Sequence, residues 1–266
     1  MIAQSGATEP TTWGLAASAI LVALALAVSA WRRLGVERSL LWAALRAAGQ
    51  LALIGGALTL VVGDGAPLAW SWCWLVAMVL FAAITVRRRA PEVPAAFPLA
   101  LIAFSTTTII SLGVLFGAGI FPMTSRTIVP LAGMVIGNSL SSTVLAARRT
   151  IEELREQRDR VEARLALGLS GRQAVQPQLR AASRTALIPQ IETTKAVGVV
   201  FLPGAMVGLI LAGVEPLTAV KVQVAVMYLI LGSVATTTTV VALGVSRRLF
   251  TADHRLVRLE RRSHAP

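Results

Sequence analysis

Deep in the apolar run from Thr127 to Ala147, the stretch PLAGMVIGNSL, Pro130 to Leu140, carries Asn138 and Ser139, with Ser141 and Ser142 just after it. An amide at such a position is expected to find its partner on another helix or in a wet cavity, each such bond being worth about 0.6 to 2 kcal/mol. Gly133 and Gly137 just before it form a G-x-x-x-G step. Gly204 and Gly208 repeat the step in LPGAMVGLILAG, and Pro130 and Pro203 precede the two steps while Met134 and Met206 lie within them. Small residues at i and i+4 let two helix backbones approach closely, and a proline adds a bend whose freed carbonyls need new partners. Plain close packing is the simplest account of these glycines, and the two segments are the expected working interface. The remaining polar atoms in apolar runs are mostly neutral: Arg46 and Gln50 one turn apart, Thr106 to Thr108, Gln223, and Thr236 to Thr239. Hydroxyls can bond carbonyls of their own helix, and Arg46 can either snorkel or face inward.

Groups of this kind can bind and pass a solute, but they do not make or break bonds. Neither Lys195 nor Lys221 sits in G-x-x-x-x-G-K-[ST], so hydrolysis of ATP by this chain alone is not expected. Both histidines, His254 and His264, lie in the tail, which leaves no H-E-x-x-H site. The apolar runs carry no carboxylate near their middles, as a proton- or sodium-coupled carrier often does. Cys73 is the one cysteine, which removes any intrachain disulfide or CxxC motif; a small buried hydrophobe is its plain reading. No catalytic residue, no cofactor held by the chain itself and no enzymatic activity are expected.

The elements that must position these groups are membrane helices. With 55% hydrophobic and only 14% charged residues over 266 positions, the chain is far more apolar than a soluble domain. A spanning helix takes roughly 20 mainly apolar residues, and seven runs qualify: Trp13 to Ala30, Leu40 to Val62, Leu68 to Val86, Phe97 to Gly117, Thr127 to Ala147, Ala196 to Gly213 and Leu217 to Leu243. The expected fold is all-α, a single membrane domain over residues 1–266 with about seven transmembrane helices. The first run has no basic residue before it and reads as a retained helix rather than a signal peptide.

Lysines and arginines alternate across these runs. Arg32, Arg33 and Arg38 follow the first, Arg87 to Arg89 follow the third, ten lie between Arg148 and Lys195, and six follow from Arg247. The intervening connections hold only Arg126 and Lys221. This pattern predicts the N-terminus outside and the tail, about 247–266, in the cytoplasm. A basic cytoplasmic face beside anionic lipid accounts for the net charge of +12 without any nucleic-acid partner.

One connection is long. Residues 148–195 are expected to form a cytoplasmic helical hairpin: Ile151, Leu154, Val161 and Leu165 recur at helical spacing, Glu156 and Arg160 stand in favourable i,i+4 order, and GLSG at Gly168 to Gly171 suits a helix stop. The second arm is expected to be broken by Pro177 and Pro189. Its basic and small apolar turn could enter a groove on another protein, against the alternative of a solvated hairpin without a partner.

Four stretches in order, PLAGMVIGNS, RRTIEELREQRDRVEARLALGLSGRQA, ALIPQIETTKAVGVVFLPGAMVGLILAG and EPLTAVKVQVAVM, resemble the permease subunit of FetB-like iron-export ABC transporters, a family related to plant aluminium-tolerance permeases. The resemblance runs from Leu40 to the tail and includes the Arg46–Gln50 pair. It implies a multi-pass protein of the inner (plasma) membrane that pairs as a homodimer, binds a separate cytoplasmic ABC ATPase subunit carrying ATP, and exports metal ions such as iron. Glu162 to Gly168, EARLALG, is similar to the start of the loop with which ABC permeases dock their ATPase; Glu162, Gly168, Gly171, Arg172 and Gln173 are thereby coupling candidates, although the stretch to Pro189 is longer than in importers. Val207 and Leu209 depart from the Thr and Gln of that family pattern. The spans offer no oxygen-rich cluster for a hard ion, and Met134 and Met206 are soft, so no metal ligands are assigned and a sugar or lipid-like cargo stays open. A non-transporting scaffold or receptor and an ATP-independent channel are the rival readings.

Overall fold

The computed structural model describes residues 12–62 and 67–250. The turn at Gly63 to Pro67, the N-terminal Glu9 and the tail beyond Phe250, with both histidines, fall wholly or mostly outside the described residues. Nine α-helices follow in order among these: α1 Thr12–Arg32, α2 Glu37–Val62, α3 Leu68–Arg89, α4 Ala96–Gly117, α5 Ser125–Glu156, α6 Arg158–Ala166, α7 Gly171–Ala196, α8 Gly204–Leu211 and α9 Pro216–Arg248. Five carry segments long and apolar enough to cross a membrane: Glu37–Thr59, Leu68–Arg89, Ala96–Gly117, Ser125–Glu156 and Pro216–Arg248. The apolar stretch of α1, Ala17–Arg32, is shorter.

Two long helices, α5 and α9, form the centre and run parallel. Their register is pinned by Ser139 Oγ, which donates to Ser233 Oγ at 3.4 Å. Around them stand α3, α4 and α7, each touching both or one of the pair. Two apolar clusters fill the interior. One joins Leu75, Phe104, Ile128, Val135 and Val234, and the other, nearer the arginine-bearing ends, joins Ile151, Leu154, Val161, Val175, Val245 and Leu249. The Arg148 guanidinium donates to the Arg89 carbonyl and pairs with Glu92 at 3.0 Å, tying α5 to the basic end of α3. The α1–α2 hairpin lies at the periphery, its turn held by Ser29 Oγ donating to Glu37 Oε1 at 2.7 Å.

The structure differs from the expectation at the sixth run, in the second arm of the hairpin and at Cys73. The sixth run is not one helix: α7 ends at Ala196, residues 197–203 are unwound, and α8 is a short piece beyond them. Gly198 sits at φ +84°, which an L side chain resists, and Pro203 both lacks an N–H and keeps Leu202 out of the helical region. The second arm of the hairpin, in contrast, is unbroken; α7 runs straight through Pro177 and Pro189. Both prolines are on its exposed side, while Ala174, Gln178, Ala182 and Ala186 bury the other side against α5 and α9. That packing outweighs the local proline penalty of about 3 kcal/mol. Finally, Cys73 is exposed on α3 rather than buried.

Candidate functional site

Two regions hold the expected site residues. The first is the hairpin apex at the basic end. α5 stops at Glu156, α6 restarts after Gln157, and Gly168 at φ +86° ends the first arm. Because Gln157 interrupts the helix, the Glu156–Arg160 pair does not form; Arg158 Nε instead meets Glu162 Oε1 at 2.6 Å. Ser170 caps α7 through a reciprocal box in which its backbone N–H donates to Gln173 Oε1 at 3.1 Å. Gln173 thus has a structural duty, whereas Arg172 points outward. Leu167, 79% exposed, and Leu169 form an apolar tip.

Behind that tip the two arms are braced. Arg164 Nη1 donates to the Ala174 carbonyl at 3.0 Å and to Gln178 Oε1 at 3.1 Å; Gln178 Nε2 donates to Gln157 Oε1 at 3.0 Å, and Gln157 Nε2 donates to Glu153 Oε2 at 2.9 Å. Gln178 is fully buried, so this chain of bonds joins α5, α6 and α7 where water cannot replace it. The apex also rests on the end of α9. A Cβ placed on Gly171 would stand 3.3 Å from the Phe250 ring, and Gly171 is buried. Sequence reading missed Gln178 and Phe250, although Ala174, Gln178 and Ala182 at four-residue spacing mark the buried side of α7. Gly171→Val should therefore cost about 1–3 kcal/mol by overpacking, read as a lowered midpoint of thermal unfolding in detergent. Phe250→Ala in the same background should restore most of the loss.

The second region is the height of the apolar clusters. Thr237 Oγ1 lies 2.9 Å from Thr107 Oγ1 and 2.7 Å from the Ser233 carbonyl, so one hydroxyl serves its own helix and its neighbour together. Asn138 Nδ2 donates to the Met134 carbonyl of its own helix at 2.8 Å, and the residue is exposed. Gln223 is buried with its Oε1 unpartnered, as are the hydroxyls of Ser71, Thr108 and Thr238. Arg46 and Gln50 are exposed on peripheral α2.

The glycine steps are not brought together. α8 packs on α9 and makes no contact with α5. Gly133 faces Met78 Cε at 3.3 Å, but a Cβ on Gly137, Gly204 or Gly208 would meet open space. Close packing between these steps inside one chain is thus not what the glycines provide. On α5, exposed Pro130, Gly137, Asn138 and Ser141, with half-buried Met134, lie along one side. Pro203 just before α8, and Met206, Val207 and Leu209 on it, are half-buried, and Gly204 and Gly208 are exposed. Among the described residues, no three His, Cys, Asp or Glu side chains come together to hold a metal.

The family described as "Uncharacterised protein family (UPF0014)" matches residues 12–250. The chain belongs to the UPF0014 family. It is 31% identical over 252 residues to "Probable iron export permease protein FetB" of Escherichia coli K12, covering 93% of this chain and 95% of that one. It is 37% identical over 217 residues to "UPF0014 membrane protein STAR2" of Oryza sativa, covering 82% and 76%. It is 32% identical over 218 residues to "Protein ALUMINUM SENSITIVE 3" of Arabidopsis thaliana, covering 82% and 80%. The FetB-like relationship and the kinship with plant aluminium-related proteins are therefore established. No solved structure matches this chain.

Proposed function

We propose that this UPF0014 chain is the permease subunit of an ABC exporter, paired as a homodimer in the plasma membrane and driven by a separate cytoplasmic ATPase. The hairpin apex takes up the motion of that ATPase, and the cargo is a metal cation, iron being the example carried in the name of the bacterial relative. The supporting observation is the braced apex: an exposed Leu167–Leu169 tip, with Arg172 beside it, fixed by the Arg164–Gln178–Gln157 bonds to the same α5 and α7 that line the apolar bundle. An apolar tip on a rigid lever suits a groove in a partner and would convert movement of that partner into movement of long helices. The alternation of basic residues supports a cytoplasmic position for this end.

Co-purification tests the docking half of the proposal. A P-loop ATPase encoded beside this chain should elute with it from detergent-solubilised membranes, and deletion of residues 167–169 should release it. An ATPase that neither binds the chain nor responds to the deletion would end the reading. Gln178→Ala tests the lever. Removing the two side-chain bonds leaves the Arg164 guanidinium half-satisfied at a cost of about 1–3 kcal/mol. Partner binding should persist while transport per ATP hydrolysed falls, measured together in reconstituted vesicles.

A further inference from the structure

The end of α7 carries an exposed charged pair, Glu192 and Lys195, alongside the apolar bundle. α7 runs antiparallel to α5, with Gln178 opposite Gln157, and farther along Leu187 packs against the apolar cluster of α3, α4, α5 and α9. At about 1.5 Å per residue, Glu192 stands about 7 Å and Lys195 about 12 Å on the apolar side of the Arg148–Arg89 contact. The unwound stretch begins about 15 Å beyond that contact, half of a hydrocarbon thickness of roughly 30 Å. Glu192 and Lys195 pair with each other at 2.9 Å, and both side chains are more than half exposed. Val199 is 91% and Val200 77% exposed on backbone that is not helical.

Two independent physical rules exclude lipid from this face. Charged side chains at such depth face protein or a wet cavity. Irregular backbone at membrane depth is tolerated only where protein covers it or water reaches it. Locally, Gly198 N–H donates to the Phe201 carbonyl, Val200 N–H to the Ala196 carbonyl, and the Pro203 carbonyl accepts from Val207 N–H. Discontinuous helices of this kind sit at the working interfaces of other transporters.

We propose that the face made by the last turns of α7, the unwound Val197 to Pro203 segment and α8 is the seam on which a second copy of this chain sits. An adjacent acid and base make the face self-complementary about a two-fold axis, as an interface between identical copies requires. Gly204 and Gly208, whose Cβ positions meet nothing inside the chain, let a second backbone come close. The inference rests on the reading of the chain as one half of a paired permease and adds where the halves meet.

Cysteine cross-linking in native membranes tests it. In a Cys73→Ser background, Val199→Cys, Leu202→Cys and Gly208→Cys are introduced singly and oxidised with copper phenanthroline. Ile102→Cys, exposed on apolar α4, serves as the comparison. At least one seam variant should convert most of the 28.0 kDa chain into a species of twice that mass, reversed by reductant, while Ile102→Cys stays single. Native mass measurement of the same variants in nanodiscs gives their copy number. Dimers by mass with no cross-link at any seam position would overturn the seam and leave the paired permease standing; single copies by mass would overturn both.

Discussion

Replacing both Leu167 and Leu169 with Asp is expected to weaken ATPase binding at least about 30-fold and abolish ATP-driven transport. The two leucines form the apolar tip of the apex, and an anchor side chain buried in a partner's groove costs about 2 kcal/mol or more when lost. A carboxylate placed there also carries a desolvation penalty. Neither side chain is buried within the chain, so the fold is not put at risk. Titration of the purified ATPase against the permease in nanodiscs reads the affinity directly. An affinity within about threefold of the parent would show that the tip is not the docking element.

The second large effect is expected at Gly137. A side chain there meets open space within this chain, so Gly137→Leu should leave thermal stability and ATPase binding unchanged. Transport should nevertheless fall by about tenfold or more, equivalent to ~1.4 kcal/mol, because a leucine on the exposed side of α5 next to Asn138 fills either a passage or the approach of a second helix. Unlike most glycine substitutions in a bundle, this one separates function from folding. Parent-level flux in vesicles would remove the Pro130 to Ser141 side of α5 from the pathway.

Much of the bundle is legible from periodicity. Ile151, Leu154 and Val161, chosen for helical spacing alone, are all buried, and Gly168 ends its helix at a positive φ as a glycine stop should. α7 was less legible because Arg180, Arg184, Glu192 and Lys195 lower its hydropathy, while its buried side is made of small residues that hydropathy barely registers. The sixth run fails for the opposite reason. Its composition is as apolar as any span, yet Gly198 and Pro203 dictate an unwound backbone that no average over composition can detect. Asn138 also bonds within its own helix, its amide donating to the carbonyl of Met134 one turn away, a route that reasoning from burial alone overlooks. Phe250 had no sequence signal at all, since its role depends on the apex folding back onto the end of α9.

The central claim is that ATP in a partner subunit drives cation export through this chain. The direct measurement uses inside-out vesicles containing the chain with its neighbouring ATPase and assays uptake of iron into their lumen. Uptake that requires ATP, stops when the partner's P-loop lysine is replaced, and is lost in the Leu167→Asp/Leu169→Asp permease is the predicted result. Iron uptake that proceeds equally without ATP, or ATP hydrolysis by the assembled pair that moves no cation, would contradict the account.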